Sequence, residues 1–195
     1  MITTTALKTA DTQHDVHDLI RQRWSARSFS DRNIDEAQLE KLFEAAAWTA
    51  SSMNEQPWKF LYAHRGTQGF TKMTDCLMEG NAVWAKDGAV MILALAKKNF
   101  DRNGKPNRHA MHDVGAANTT LLLQAAADDI FGHMMGGFHM QETIEGFDID
   151  TDQWEPACFI VIGYLDEAEK LEEPFRSREL APRSRKPISA FTQAI

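Results

Sequence analysis

Gly88-Ala89-Val90-Met91-Ile92-Leu93-Ala94-Leu95-Ala96 is nine residues long and carries no polar side chain. It is far too short to span a bilayer. An unbroken apolar run of this length, bounded by polar segments, reads as a strand covered on both faces. Such a strand has to lie inside a sheet that has layers above and below it. Ala157-Cys158-Phe159-Ile160-Val161-Ile162-Gly163-Tyr164 has the same character, and Trp58 to His64, opened by Pro57 and closed by Gly66, supplies a third strand.

The covering layers are helical. Asp35 has the form of an N-cap, with Gln38 three residues on completing a capping box. Leu39, Leu42, Phe43, Ala46 and Ala47 fall on one helical face, and the helix should end near residues 48–50. Shorter helical patterns cover 16–22, 70–77, with Gly80 and Asn81 as a stop, and 141–146. Residues 108–129 form a long helix that is small or apolar nearly all round, so it is expected to be buried centrally or at a subunit contact. Phe100 to Asn107 is a polar loop, Gly132 is read as a stop, and Gly136-Gly137-Phe138 as a tight turn. The expectation is α+β: a central mixed sheet surrounded by helices, in one domain over 14–195. A polar, Thr-rich arm at 1–13 is expected to be loose. After Asp166 the chain is polar, with three prolines and no glycine, and is expected to dock as an extended arm, with a partner subunit as one candidate surface.

Charge and cysteine content exclude several roles. A net charge of -7 argues against a general nucleic-acid binder, which needs surplus Lys and Arg for phosphates. Cys76 and Cys158 are too few for a disulfide framework, and the first eight residues lack the basic and apolar parts of a signal peptide, so a soluble cytoplasmic protein is expected. His109, His112 and Asp113 lie close on one helix, but no third ligand cluster follows; helix-start capping and surface hydrogen bonding are the better reading. Cys158, inside an apolar strand, is read as an inert core thiol.

Four stretches carry the chemistry. Arg23-Trp24-Ser25-Ala26-Arg27-Ser28-Phe29 puts two planar donor forks and a hydroxyl within five residues, a small anion cradle where a helix end meets a turn. Ser51-Ser52-Met53-Asn54-Glu55-Gln56-Pro57-Trp58 offers short hydroxyl and amide groups that both donate and accept. Gly136-Gly137 permits close backbone approach, and Arg183-Ser184-Arg185 is a second basic pair.

In this order and spacing the four stretches resemble the FMN-dependent nitroreductase family, over a span from about Val16 to Pro187. The resemblance implies that Arg23, Ser25, Arg27 and the Trp24 backbone bind the FMN phosphate, with Arg183 and Arg185 closing over it. It implies that Ser51, Ser52, Asn54 and, as a brace, Gln56 reach the flavin from the other subunit of a homodimer. Met135, Gly136 and Gly137 would pass beside the reactive side of the ring. Many members carry an acidic residue where this chain has Gly136, so substrate preference does not transfer. The implied activity is transfer of hydride from NADH or NADPH through FMN to nitroaromatics, quinones or similar acceptors, in a ping-pong cycle with no dedicated catalytic side chain. Reductive dehalogenation, flavin fragmentation and a non-enzymatic flavin-binding redox module are the alternatives. His133, His139, Trp48 and Trp84 are candidates for the pocket walls.

Overall fold

The protein is described by a computed structural model covering residues 4–195. Its sheet has four strands, β1 (Trp58–His64), β2 (Val90–Lys97), β3 (Ile130–Met135) and β4 (Trp154–Tyr164), in the order β1-β2-β4-β3. Around it lie α1 (Thr4–Lys8), α2 (Asp18–Gln22), α3 (Glu36–Ala47), α4 (Gln68–Asp75), α5 (Glu79–Ala85), α6 (Ala110–Ala127), α7 (Met140–Gly146) and α8 (Phe175–Leu180).

β2 is buried on both faces, and its alternate residues serve two cores. Val90 and Ile92 point toward α3 and α6, where Leu39, Leu42, Ala117 and Leu121 meet Ile160 and Ile162 of β4. Met91, Leu93 and Leu95 point the other way, to Trp24, Phe29, Trp84, Phe131, Phe159 and Val161. The period-two geometry of a strand makes this division unavoidable.

The α+β class holds, but the sheet is not mixed: each of the three described ladders is antiparallel. The reason is topological. The α6 crossover returns β3 in the same direction as β2, yet the two never pair, because β4 inserts antiparallel between them. Pro156, which lacks a ladder donor, lies in β4 where the register with β2 shifts between Ala94 and Leu95. The shift accommodates it in a central strand.

The α3 capping box is present in full, with Asp35 Oδ1 accepting from Gln38 N at 2.8 Å and Gln38 Oε1 accepting from Asp35 N at 3.2 Å. Three local features depart from expectation. β3 is unexpected: the 108–129 helix does end before Gly132, at Ala127, but a strand then runs straight through that glycine. A Cβ at Gly132 would lie 2.4 Å from Leu122 Cδ2 and 2.8 Å from Ile162 Cγ2, so glycine here is what lets the strand lie against α6 and β4. Gly80 and Asn81 do not end a helix but sit inside α5, where Asn81 Nδ2 donates to the Gly137 carbonyl at 3.0 Å. Residues 4–8 are not loose. They form α1, whose Lys8 Nζ donates to the carbonyls of Arg178 (2.9 Å) and Ala181 (2.6 Å) at the end of α8. The first three residues of the expected arm lie outside the described residues.

Candidate functional site

The segment 23–29 leaves α2 in extended conformation rather than as a turn: Trp24, Ala26 and Ser28 are buried while Ser25 is exposed and Arg23 and Arg27 are half-buried. Alternation along an extended chain puts Arg23, Ser25 and Arg27 on one side. The inward residues fix the segment. Trp24 packs on Phe131 with ring centroids 6.1 Å apart, and Phe29 bridges to Leu165 just beyond β4. Phe29 lies so close over Gly163 that a Cβ there would be 2.8 Å from its ring.

Around Arg23 and Arg183 the neighbouring charges are of one sign, while Arg27 faces the Glu179 carboxylate at 3.6 Å. Burial, then the Arg185 charge, lowers the Arg23 pKa; burial, then Arg23 and Arg185, lowers that of Arg183. No carboxylate figures among these causes: both guanidinium groups are partly desolvated and face other arginines, and both stay charged. That donor set fits a dianionic phosphate. Arg183 is partly committed to the fold, its Nη1 donating to the carbonyls of Arg21 (2.7 Å) and Lys8 (3.1 Å). Arg185 is exposed, its Nη1 bonded only to the neighbouring Ser184 carbonyl at 2.7 Å. On the far side of Arg27, a cavity of about 320 Å³ is lined by Asp31 and Asp87 as well as Lys170, a mixture that disfavours an anion.

His133, on β3, lies beside the cradle. Its Nδ1 is 3.1 Å from the Ala26 carbonyl oxygen, which can only accept, so Nδ1 carries the proton. Its ring lies 4.7 Å from that of Trp84, and the Arg27 guanidinium carbon is 5.6 Å from the Trp84 ring centroid. Trp84 is therefore a buried spacer between the two, while Trp48 is 84% exposed. Burial, then the Arg27 charge, pushes the His133 pKa down to about 4. The folded state thus refuses a proton that the unfolded chain accepts near pH 6.5. Stability is fully present above that pH and is lost as pH falls from 6.5 towards 4, by on the order of 3 kcal/mol at 1.36 kcal/mol per unit. Urea unfolding at pH 7.5 and 4.5 should show this loss shrinking in His133→Gln, whose amide still reaches the carbonyl.

Gly136 follows β3, and a Cβ there would meet nothing within 4 Å, so its outer side is open. Gly137 is held for a different reason: a Cβ would lie 2.9 Å from Asn81 Nδ2, and its carbonyl accepts from Met78 N at 3.1 Å. Met135 is buried.

The Ser51–Gln56 turn stands elsewhere. Met53 (φ 57°), Asn54 (φ 56°) and Gln56 (φ 51°) are all left-handed, a strained run costing roughly 1 kcal/mol or more per residue. Gln56 braces the turn, its N–H donating to Ser51 Oγ at 3.0 Å and its Nε2 to the Asn54 carbonyl at 3.2 Å. The anchor that sequence reasoning missed is Asp113, buried in the first turn of α6, whose Oδ2 accepts from Ser52 N at 2.9 Å. The available signal was a carboxylate at a helix start, set in a sequence that is otherwise small and apolar. Its other oxygen lies 2.9 Å from His112 Nδ1. Among the described residues no group of three His, Cys, Asp or Glu side chains could hold a metal ion.

Strand register gives the separation of these parts. Trp58, next to the turn, is level with Ala96 and Glu155, whereas Phe29 and Ser30, at the far end of the cradle segment, are level with Leu165 and Tyr164. At about 3.3 Å per residue the two lie roughly 30 Å apart along β4. Gly136 follows Met135, which pairs with Phe159, so it lies roughly 20 Å from the cradle end by the same measure. Within one chain Arg23, Arg183 and Arg185 stand close enough for their charges to interact, Ser25 and Arg27 share the Arg23 segment, and the Ser51–Asn54 turn lies toward the opposite end of the sheet.

A family model described as Nitroreductase family matches residues 20–83 and 71–164. A protein of Archaeoglobus fulgidus named "Putative NADH dehydrogenase/NAD(P)H nitroreductase" is 28% identical over 130 residues, covering 65% of this chain and 70% of that protein. Among solved structures, an oxidoreductase containing FMN superposes with a TM-score of 0.89 at 28% identity, over 99% of this chain and 96% of that one. A "putative nitroreductase in complex with fmn" from Desulfovibrio desulfuricans reaches a TM-score of 0.73 at 21% identity, over 94% and 98% of the two chains, a likeness of fold.

Proposed function

This chain belongs to the nitroreductase family, and we propose that it is an FMN-dependent oxidoreductase using NADH or NADPH to reduce nitroaromatics, quinones or related electron-poor acceptors. It works in the cytoplasm as a homodimer with two FMN sites, each built from both chains. The observation that carries the shared site is the roughly 30 Å along β4 between Trp58, which follows the Ser51–Asn54 turn, and Phe29, which follows the cradle: the two parts attach toward opposite ends of the sheet. A second copy brings its turn to the cradle of the first. The surface fits such a contact: Trp48 and Met53 are 84% and 63% exposed, and α6 leaves Met111, Gly115 and Thr119 uncovered along one stripe. Phe191, 69% exposed in the C-terminal segment, is available to a partner in the same way. Two free cysteines suit a reducing compartment, and among the described residues no helix is long and apolar enough to cross a membrane.

Each chain's residues have separate tasks. Arg23, Arg27 and Arg185 supply charge to the phosphate, Ser25 and the Trp24 backbone supply direction, and Arg183 ties this group to the ends of α1 and α2. Gly136 leaves room for a ring plane and for whatever stacks on it. Ser51, Ser52 and Asn54 offer donors and acceptors to ring edge and ribityl oxygens. When bound, FMN supplies an isoalloxazine that takes two electrons from a reduced nicotinamide and yields them to an acceptor in a second half-reaction. No side chain is assigned a proton transfer; His133 is held neutral and bonded to Ala26.

The test is an absorbance spectrum of the purified protein followed by anaerobic titration. NADH or NADPH should bleach the flavin bands, and a nitroaromatic or quinone should restore them. Bleaching by neither nicotinamide sinks the reductase reading. A monomer by light scattering at full flavin occupancy sinks the shared site.

A further inference from the structure

Glu179 lies on α8, 152 residues from Arg27 in sequence, and its side chain is 1% exposed. Its Oε1 accepts from the backbone N–H of Arg27 at 2.8 Å and of Ser28 at 3.1 Å. Its Oε2 stands 3.6 Å from Arg27 Nη1 and has no hydrogen-bond partner among the described residues. Desolvating a carboxylate costs several kcal/mol, so it persists in such a place only when its partners are well set. It also sits among cations: burial lowers the pKa of Arg27 and of Lys8, and the Glu179 charge opposes that lowering in both.

We propose that Glu179 is a positioning residue for the phosphate cradle: by holding the Arg27 and Ser28 amides it sets the backbone from which the Arg27 guanidinium reaches the FMN phosphate. The inference rests on the FMN reading and adds α8 to the cofactor site. Holding both amides has a second effect. Those two donors are taken, so the cradle presents side-chain donors to the anion, and their direction depends on the backbone that Glu179 fixes. Preorganisation of this kind raises affinity by removing the cost of ordering the site at the moment of binding.

Glu179→Met fills the space with no acceptor, and Glu179→Gln keeps a carbonyl oxygen for both amides. FMN and riboflavin dissociation constants, measured by flavin fluorescence quenching, separate the roles, because riboflavin lacks the phosphate. Glu179→Met is expected to raise the FMN constant by about tenfold and the riboflavin constant by less than about twofold, with Glu179→Gln within about threefold of wild type for both. Equal loss of both ligands in Glu179→Met marks a merely structural role and overturns the proposal. So does a Glu179→Gln variant as weak as Glu179→Met, or one that binds FMN more tightly than wild type, since either result makes the charge and not the acceptor decisive. If circular dichroism shows Glu179→Met unfolded, Glu179→Asp stands in: its carboxylate is one methylene short of the amide pair, and the same FMN-selective loss is expected. Wild-type protein that binds neither flavin refutes the FMN reading itself. Tight wild-type FMN binding with an unchanged FMN-to-riboflavin ratio in the variants refutes only the role of Glu179.

Discussion

Arg27→Ala is expected to raise the FMN dissociation constant about a hundredfold while leaving a folded protein. The magnitude follows from removing a guanidinium that the proposed site sets on phosphate oxygens: hydrogen bonds to a charged group are worth about 1.5–3 kcal/mol, and each 1.4 kcal/mol is tenfold in affinity. Arg27 is held by Glu179 at 3.6 Å and by the Trp84 ring at 5.6 Å, so its guanidinium arrives with little freedom left to lose. Arg27→Lys should recover part of the charge and none of the planar fork, giving an intermediate constant. Flavin fluorescence titration measures both variants, and an unchanged constant in Arg27→Ala refutes the cradle. The alanine variant also strips Glu179 of its nearest cation, so a drop in unfolding midpoint should accompany the weaker binding.

The second large effect belongs to Trp84→Ala, expected to cost about 3–5 kcal/mol of stability, as removal of a large aromatic from a core generally does. Trp84 is 2% exposed, donates from Nε1 to the Gly80 carbonyl at 2.9 Å, and lies against both His133 and Arg27. Its loss therefore opens a cavity and releases two side chains of the site together. Trp84→Phe keeps a ring and forfeits the hydrogen bond, and should cost about 1 kcal/mol. Urea unfolding distinguishes the two; equal midpoints for the alanine and phenylalanine variants would mean that the ring's volume is not what matters.

What the sequence disclosed, and what it hid, follows from the range of the interactions. The Asp35–Gln38 box, the alternation within β2 and the start of β1 after Pro57 depend on neighbours a few residues apart, and each stands in the structure as expected. β3 was hidden because Gly132 is explained by Leu122 and Ile162, which no local pattern connects to it. α5 was hidden by Gly80 and Asn81, a pair that usually interrupts helices; here Asn81 is occupied by Gly137, 56 residues away. The cradle's residues were legible by type, but their common orientation comes from burial of Trp24, Ala26 and Ser28 in an extended segment. From Arg176 to Lys186, Glu179 is one acid among five basic residues, and nothing local marks it. Its partners lie some 150 residues earlier, a separation at which sequence pattern carries no information about contact.

The insertion of β4 between β2 and β3 also sets an order of events during synthesis. β2 leaves the ribosome with β1 available on one edge, but its other edge, and the edge of β3, remain unpaired until residues 154–164 have been made. The nascent chain must therefore carry an apolar strand with one open edge through the production of the whole α6 crossover, the kind of intermediate that invites wrong pairing and chaperone capture. The cradle waits on the same event, because Phe29 and Ser30 dock on Leu165 and Tyr164, at and just past the end of that strand. On the proposed FMN reading, cofactor capture is in this way coupled to completion of the sheet: a chain that has not placed β4 lacks the support on which the cradle segment docks.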